Sequence, residues 1–259
     1  MQVDLSEKVA LITGSSRGIG RGCALEMARA GASVAVNYHS HGAEAETVAD
    51  DVRAMGQGAV AIGADVADRE AVDRMIAETV DVLGRLDIIV CNAYYSKREP
   101  FLGMSIDGMK RTLDVSLWGS FHTAQAGARE MVKQGSGGSM LFISSVMSFM
   151  PFAGSLAYST AKAGMNHMAS IIATELLEHR IRVNVIEPGW TDTPGERQYR
   201  TEEQIKEGGK RLPWGRLGSM EDLGKAATFL CSDAADYITG ASLRVDGGFW
   251  LQEPKVSSD

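Results

Sequence analysis

A chain of 259 residues with 44% hydrophobic and 23% charged residues has the make-up of a single globular domain large enough to hold a sizeable core. Its net charge of −7 speaks against a nucleic-acid or anionic-membrane surface, and its three cysteines (Cys23, Cys91 and Cys231), far apart and in no CxxC pair, give a disulfide framework or zinc ribbon no support. With no apolar run near the roughly 20 residues of a membrane span and no signal-like start, the expected compartment is the cytoplasm.

In chain order, the first expected strand is VALIT at 9–13, followed by TGSSRGIG at 13–20 and a helix with apolar residues on one face. Gly14 allows a sharp turn, while Gly18 and Gly20 allow close approach of a diphosphate and of helix to sheet. The helix N-terminus offers free N–H groups and the positive end of its dipole. This strand–glycine loop–helix unit predicts dinucleotide binding through Gly14, Ser16, Arg17, Gly18, Ile19 and Gly20.

The second strand, SVAVNY at 33–38, ends in NYHS, where an acidic residue would bind a ribose 2′-hydroxyl and repel a 2′-phosphate. No carboxylate stands there. Arg17, His39 and Ser40 can instead face a phosphate, so NADP(H) is the expected cofactor and NAD(H) the alternative.

Further strands are expected at 59–64 (AVAIGA), 86–91 (LDIIVC), 139–144 (SMLFIS), 182–187 (RVNVIE) and 242–246 (SLRVD), most of them separated by helical patterns. Seven strands in a βαβα rhythm imply a parallel sheet with helices on both faces, whose ligands bind beyond the carboxyl ends of the strands. The polar segment at about 190–212 breaks the rhythm and is expected to be a substrate-binding loop or lid.

Tyr158 and Lys162 are four residues apart in SLAYSTAKAGMN, hence on one helix face. An ammonium beside a phenol favours the phenolate and lowers the phenol's pKa, which makes an acid–base couple. Ser144 and Ser145, at the end of the fifth strand, offer hydroxyls that can hold a carbonyl oxygen while Tyr158 moves the proton.

These motifs, with DV at 65–66, CNAY at 91–94, EPGWTDT at 187–193 and VDGG at 245–248, resemble the short-chain dehydrogenase/reductase superfamily over residues 7–251. The resemblance implies a Rossmann-type doubly wound α/β domain of strand order 3-2-1-4-5-6-7 that transfers hydride between a nicotinamide and a carbonyl or alcohol carbon. It implies Tyr158 as acid–base, Lys162 lowering its pKa and holding the nicotinamide ribose, and Ser145 orienting the substrate oxygen. Asp65 and Val66 would meet the adenine, Asn92 and Ala93 its ribose, and Pro188, Gly189, Thr191 and Thr193 the carboxamide and diphosphate. The family is commonly tetrameric, so a homotetramer or dimer is expected.

Two departures stand out. Cys91 and Tyr94 replace the first Asn and the Gly of the family's Asn-Asn-Ala-Gly, and Ser116 replaces the Asn that supports a proton relay to Lys162. Around the substrate, Tyr94, Tyr95, Met147, Phe149, Met150, Phe152 and Trp190 are expected to form an apolar wall. The five histidines show no ligand spacing, and no catalytic metal is expected. The reading is therefore a carbonyl–alcohol oxidoreductase acting on a small molecule. A 3-oxoacyl-thioester reductase and a sugar or polyol dehydrogenase are alternatives within that class, and a catalytically decayed cofactor-binding scaffold is the alternative outside it.

Overall fold

The computed structural model describes residues 3–251. Its strands are β1 (Val9–Ile12), β2 (Ser33–Tyr38), β3 (Ala59–Gly63), β4 (Ile88–Cys91), β5 (Gly138–Ile143), β6 (Ile181–Pro188) and β7 (Ser242–Val245). They pair in parallel in the order β3-β2-β1-β4-β5-β6-β7. The order reverses between β1 and β4, the point at which a doubly wound sheet opens a crevice for a ligand.

Central strands covered on both faces need apolar residues at every position, and VALI of β1 and IIVC of β4 are buried throughout. β7, at the edge, is largely exposed. Ala10 and Ile12 point into one core layer with α1 (Gly18–Arg29), α2 (Gly42–Ala54) and α8 (Met220–Cys231). Leu11 points into the other, with α3 (Arg69–Leu83), α5 (Gly119–Gln134) and α6 (Leu156–Glu175). α1 and α8 lie close enough that a Cβ at Gly22 would collide with the Met220 carbonyl and one at Gly224 with the Gly22 carbonyl.

Polar caps fix where helices begin. Asp68 accepts from the N–H groups of Glu70 and Ala71 at the start of α3, and Ser219 and Asp222 form a reciprocal capping box on α8. The polar stretch after β6 contains α7 (Glu202–Lys210), which has a capping box of its own from Thr201 and Gln204. Between α4 (Ile106–Leu113) and α5 the helix widens into a π-turn, Asp114–Trp118, a local form that recurs at functional sites. Cys23, Cys91 and Cys231 are buried free thiols. Among the described residues no helix is long and apolar enough to cross a membrane, and no cluster of three or more His, Cys, Asp or Glu is placed to hold a metal.

Candidate active site

A continuous cleft of about 1060 Å³ runs along the carboxyl ends of the strands, from the loop after β1 to the segment after β6. At one end Gly14 turns the chain at φ +62°, and α1 starts at Gly18 without a side-chain cap, since Arg17 at the cap position makes no such hydrogen bond. The first N–H groups of α1 therefore have no side-chain partner, which suits a diphosphate. Arg17, His39 and Ser40 are exposed along the same edge. This donor set fits a dinucleotide.

Two asparagines brace that end. Asn37 accepts from the Gly14 N–H (3.0 Å) and donates to the carbonyls of Ile62 and Ala64 (3.2 Å each), tying the glycine loop to the end of β3. Asn92 donates to the carbonyls of Thr13 (2.8 Å) and Gly14 (3.1 Å). The signal that marks Asn37 in the sequence is an amide in an otherwise apolar strand, SVAVNY. Gly20 does not line the cleft, where a cofactor contact was expected. A Cβ there would lie 2.6 Å from both Asn92 Nδ2 and the Gly14 carbonyl, so its small size serves packing beneath the loop.

Asp65 lines the cleft with one carboxylate oxygen 2.8 Å from Arg111 Nη2 of α4 and 3.7 Å from His39 Nε2. Partial burial opposes its ionisation, but hydrogen bonds from the Ala67 N–H and Arg111 outweigh it and hold the carboxyl below its ordinary value. Val66, Ala93, Pro188, Gly189, Thr191 and Thr193 also line the cleft, and Thr193 faces Gly18 across it.

Ser145, Tyr158 and Lys162 come together in the middle of the cleft. Ser145 follows β5, and its hydroxyl accepts from the Met147 N–H (3.1 Å), which fixes it at the start of the Val146–Ser148 turn. Lys162 is only 1% exposed, and Nζ donates to the Ile143 carbonyl at 2.6 Å and lies 5.5 Å from the Tyr158 ring centroid. Burial lowers its pKa to about 7.

The Tyr158 phenol departs from expectation. Its pKa is raised, chiefly by burial and then by Tyr94, with the Ser145 hydroxyl as hydrogen-bond partner opposing and Glu196 adding to the rise. An ammonium held near 7 by its own burial is only partly charged at neutral pH, so it does not offset the desolvation of the phenol.

Ser116 also departs from expectation. It is fully buried in the π-turn away from the cleft lining, and its hydroxyl donates to the Tyr95 carbonyl (2.9 Å) and accepts from the Tyr95 N–H (3.0 Å). It ties the π-turn to the loop after β4, while Lys162 Nζ is held by the Ile143 carbonyl instead.

Of the expected apolar wall, Tyr94, Tyr95, Met147, Phe152 and Trp190 line the cleft, whereas Phe149 and Met150 do not. Phe149 turns outward, edge-on to Trp250 and against Arg244. Phe249 joins the wall instead, stacked on Phe152 with centroids 6.3 Å apart. The wall is also more polar than expected. Arg98 lies over the Tyr199 ring, Arg200 over the Trp190 ring, and Trp190 Nε1 donates to Glu196 (2.9 Å). Tyr199 donates to the Ser96 carbonyl (3.2 Å), which joins the 190–212 segment to the loop after β4.

A Rossmann-type sheet whose crevice holds a glycine loop at one end and a Ser–Tyr–Lys group in the middle defines a nicotinamide-dependent oxidoreductase. Residues 14–250 match the family described as enoyl-(acyl carrier protein) reductase. An L-rhamnose 1-dehydrogenase (NAD(P)(+)) of Sphingomonas sp. (strain SKA58) is 38% identical over 248 residues, covering 95% of this chain and 98% of that one. A 3-oxoacyl-[acyl-carrier-protein] reductase of Aquifex aeolicus is 35% identical, covering 96% of this chain and all of its own length (100%). The crystal structure of an acetoin dehydrogenase from Salmonella typhimurium superposes with a TM-score of 0.88 at 34% identity, covering 97% of this chain and 99% of that one. The chain belongs to the short-chain dehydrogenase/reductase family and is an oxidoreductase acting on CH–OH or C=O groups.

Proposed function

We propose that the chain is an NADP(H)-preferring reductase/dehydrogenase that interconverts a small carbonyl compound and its alcohol, with Tyr158 as the acid–base. The observation that carries this reading is the meeting of Ser145, Tyr158 and Lys162 in a cleft whose other end has an uncapped helix N-terminus and no carboxylate after β2. A bound nicotinamide supplies or accepts the hydride at its C4. Ser145 and Tyr158 hold the substrate oxygen, and Tyr158, kept protonated by burial, delivers a proton to it as the carbonyl is reduced. Lys162 restores the proton and orients the nicotinamide ribose. Arg17, His39 and Ser40 receive a 2′-phosphate, Asp65 and Val66 flank the adenine, and the 190–212 segment covers the substrate.

Retention of all three catalytic side chains argues against a decayed scaffold. A sugar or polyol dehydrogenase is the second reading, supported by Glu196, Arg98 and Gln198 at the substrate end of the cleft and by the name of the Sphingomonas relative. An acyl-thioester reductase, as the Aquifex aeolicus relative is named, is the third reading, and the charged Arg98, Glu196, Arg200 and Arg211 along the substrate end give it less support. Assembly as a homotetramer or dimer is supported by exposed Leu102, Ile106, Trp118 and Ile171, and a cytoplasmic location by the three free thiols.

The test is fluorescence titration with NADPH and NADH followed by a panel of ketones, aldehydes, sugars and acetoacetyl thioesters. Wild type is expected to bind NADPH more tightly and to turn over one carbonyl class. Tyr158→Phe is expected to lower turnover by about 10²–10⁴-fold with NADPH affinity unchanged. Near-normal turnover in that variant would overturn the acid–base assignment.

A further inference from the structure

Among the residues lining the cleft only Asp65 and Glu196 carry carboxylates. Asp65 belongs to the adenine end and is taken by Arg111 and the Ala67 N–H. Glu196 stands at the substrate end, on the short turn Glu196–Gln198, where the Trp190 indole holds Oε2 at 2.9 Å. Its Oε1 is 3.9 Å from Arg98 Nη2, a distance of ion pairing but not of hydrogen bonding, and the side chain stays 22% exposed. Oε1 is thus oriented by the hold on its partner oxygen and left able to accept. Tyr94 ties this turn to the reacting phenol: its ring packs edge to face on Tyr158 with centroids 5.9 Å apart, and its hydroxyl lies 2.7 Å from where a Cβ on Gly195, the residue before Glu196, would stand. The Glu196 charge accordingly adds to the rise in the Tyr158 pKa, after burial and Tyr94. Arg98, Arg200 and Arg211 line the same end, which disfavours a cationic ligand and leaves a neutral O–H donor as the fitting partner.

We infer that Glu196 Oε1 accepts a hydrogen bond from a hydroxyl on the carbon next to the reacting carbon, so that the substrate class is α-hydroxy carbonyl compounds, including aldoses, and the vicinal diols that correspond to them. The inference rests on the carbonyl–alcohol reading above. In the reducing direction the hydride, with its electron pair, goes to the carbonyl carbon and the Tyr158 proton to the carbonyl oxygen. The neighbouring hydroxyl keeps its proton and only donates to Glu196. Glu196 is then a specificity-determining residue, and a substrate lacking that hydroxyl leaves a partly buried carboxylate unmatched.

Matched pairs isolate this contact: acetoin against 2-butanone with NADPH, and D-glucose against 2-deoxy-D-glucose with NADP⁺. In the second pair the cyclic hemiacetal reacts in the oxidising direction: its C1 gives up the hydride to NADP⁺, its anomeric hydroxyl gives its proton to Tyr158, the lactone carbonyl forms, and the C2 hydroxyl only donates to Glu196. The expected result is a kcat/KM for the hydroxylated member about 10- to 100-fold above its partner in wild type, the range for a hydrogen bond to a charged group. Glu196→Gln, whose amide oxygen can still accept from the Trp190 indole, is expected to cut that ratio by about tenfold with NADPH affinity and thermal midpoint unchanged, while any effect of the lost charge on Tyr158 falls on both members of a pair alike and leaves the ratio untouched. A wild-type ratio near one in both pairs, or a Glu196→Gln variant that slows both members equally, would overturn the assignment. No nicotinamide turnover with any member of either pair, or with any carbonyl of the wider panel, is the separate signature that the carbonyl–alcohol reading itself is wrong.

Discussion

The Tyr94 ring meets the Tyr158 ring edge to face, with centroids 5.9 Å apart and planes at 71°, and its hydroxyl lies 2.7 Å from where a Cβ on Gly195 would stand. A residue at the position where the family has glycine thus spans the cleft from the loop after β4 to the segment after β6. Such a bridge narrows the space over the Tyr158 phenol, and Tyr94 adds to the rise in that phenol's pKa. Tyr94→Gly is expected to raise kcat/KM for bulky ketones relative to acetoin by about tenfold, the scale of a gained or lost apolar contact in a pocket. A substrate profile unchanged by the substitution would show that Tyr94 does not limit the pocket.

Lys162 gives a pH dependence whose sign follows from its burial. In the folded chain its pKa is about 7, against 10.5 for an ordinary lysine, so between these values the unfolded chain binds a proton that the native one does not. Stability therefore rises with pH across that window, and the cost of burying the charge is complete below pH 7. The buried thiols act oppositely at higher pH, since burial raises Cys91 to about 12 and Cys231 to about 11. Comparison with Lys162→Met between pH 6.5 and 8.5 cancels them. Over that range wild type is expected to gain about 2 kcal/mol relative to the variant in urea denaturation. A difference independent of pH would place the ammonium's pKa outside the window.

The sheet and its ligand-binding edge were legible because strands buried on both faces must read as apolar runs, and the glycine loop and Tyr158–Lys162 because each lies within a few residues of sequence. What escaped depends on contacts between distant segments. Asp65 and Arg111 are 46 residues apart and Tyr199 and Ser96 103 apart, and no local pattern announces either bond. Phe149 and Phe152 look alike in sequence, yet the turn after Ser145 sends one to Arg244 and the other into the cleft. Residue types alone could not give the pKa directions of Tyr158 and Lys162, because the balance between desolvation and charge is set by how deeply both are enclosed.

The proposed preference for NADP(H) is tested at two exposed side chains, Arg17 and His39, which line the same edge of the cleft. Arg17 carries a permanent charge and has no carboxylate partner among the described residues. Arg17→Ala is expected to weaken NADPH binding by about 10- to 100-fold and NADH binding by much less, as for loss of a hydrogen bond to a charged group. His39→Asp, which supplies the missing carboxylate near a 2′-hydroxyl, is expected to reverse the preference. Titrations in which both variants weaken the two nucleotides equally would remove these residues from the 2′-phosphate site.

Ser116 joins the π-turn to the loop that carries Tyr94 through one hydroxyl that both donates to and accepts from the Tyr95 backbone. Ser116→Ala leaves a peptide N–H and carbonyl without that partner and is expected to cost about 1–3 kcal/mol of stability. Because the loop continues into Tyr94 and so bears on Tyr158, turnover is expected to fall while NADPH affinity holds. An asparagine offers both an acceptor and a donor from its amide, so Ser116→Asn is expected to keep the two bonds, at a cost in packing, and to restore turnover relative to Ser116→Ala. The comparison needs thermal midpoints, NADPH titrations and rates for all three proteins. A Ser116→Asn protein that loses NADPH affinity with unchanged turnover would show that this position supports the cofactor and not the catalytic group.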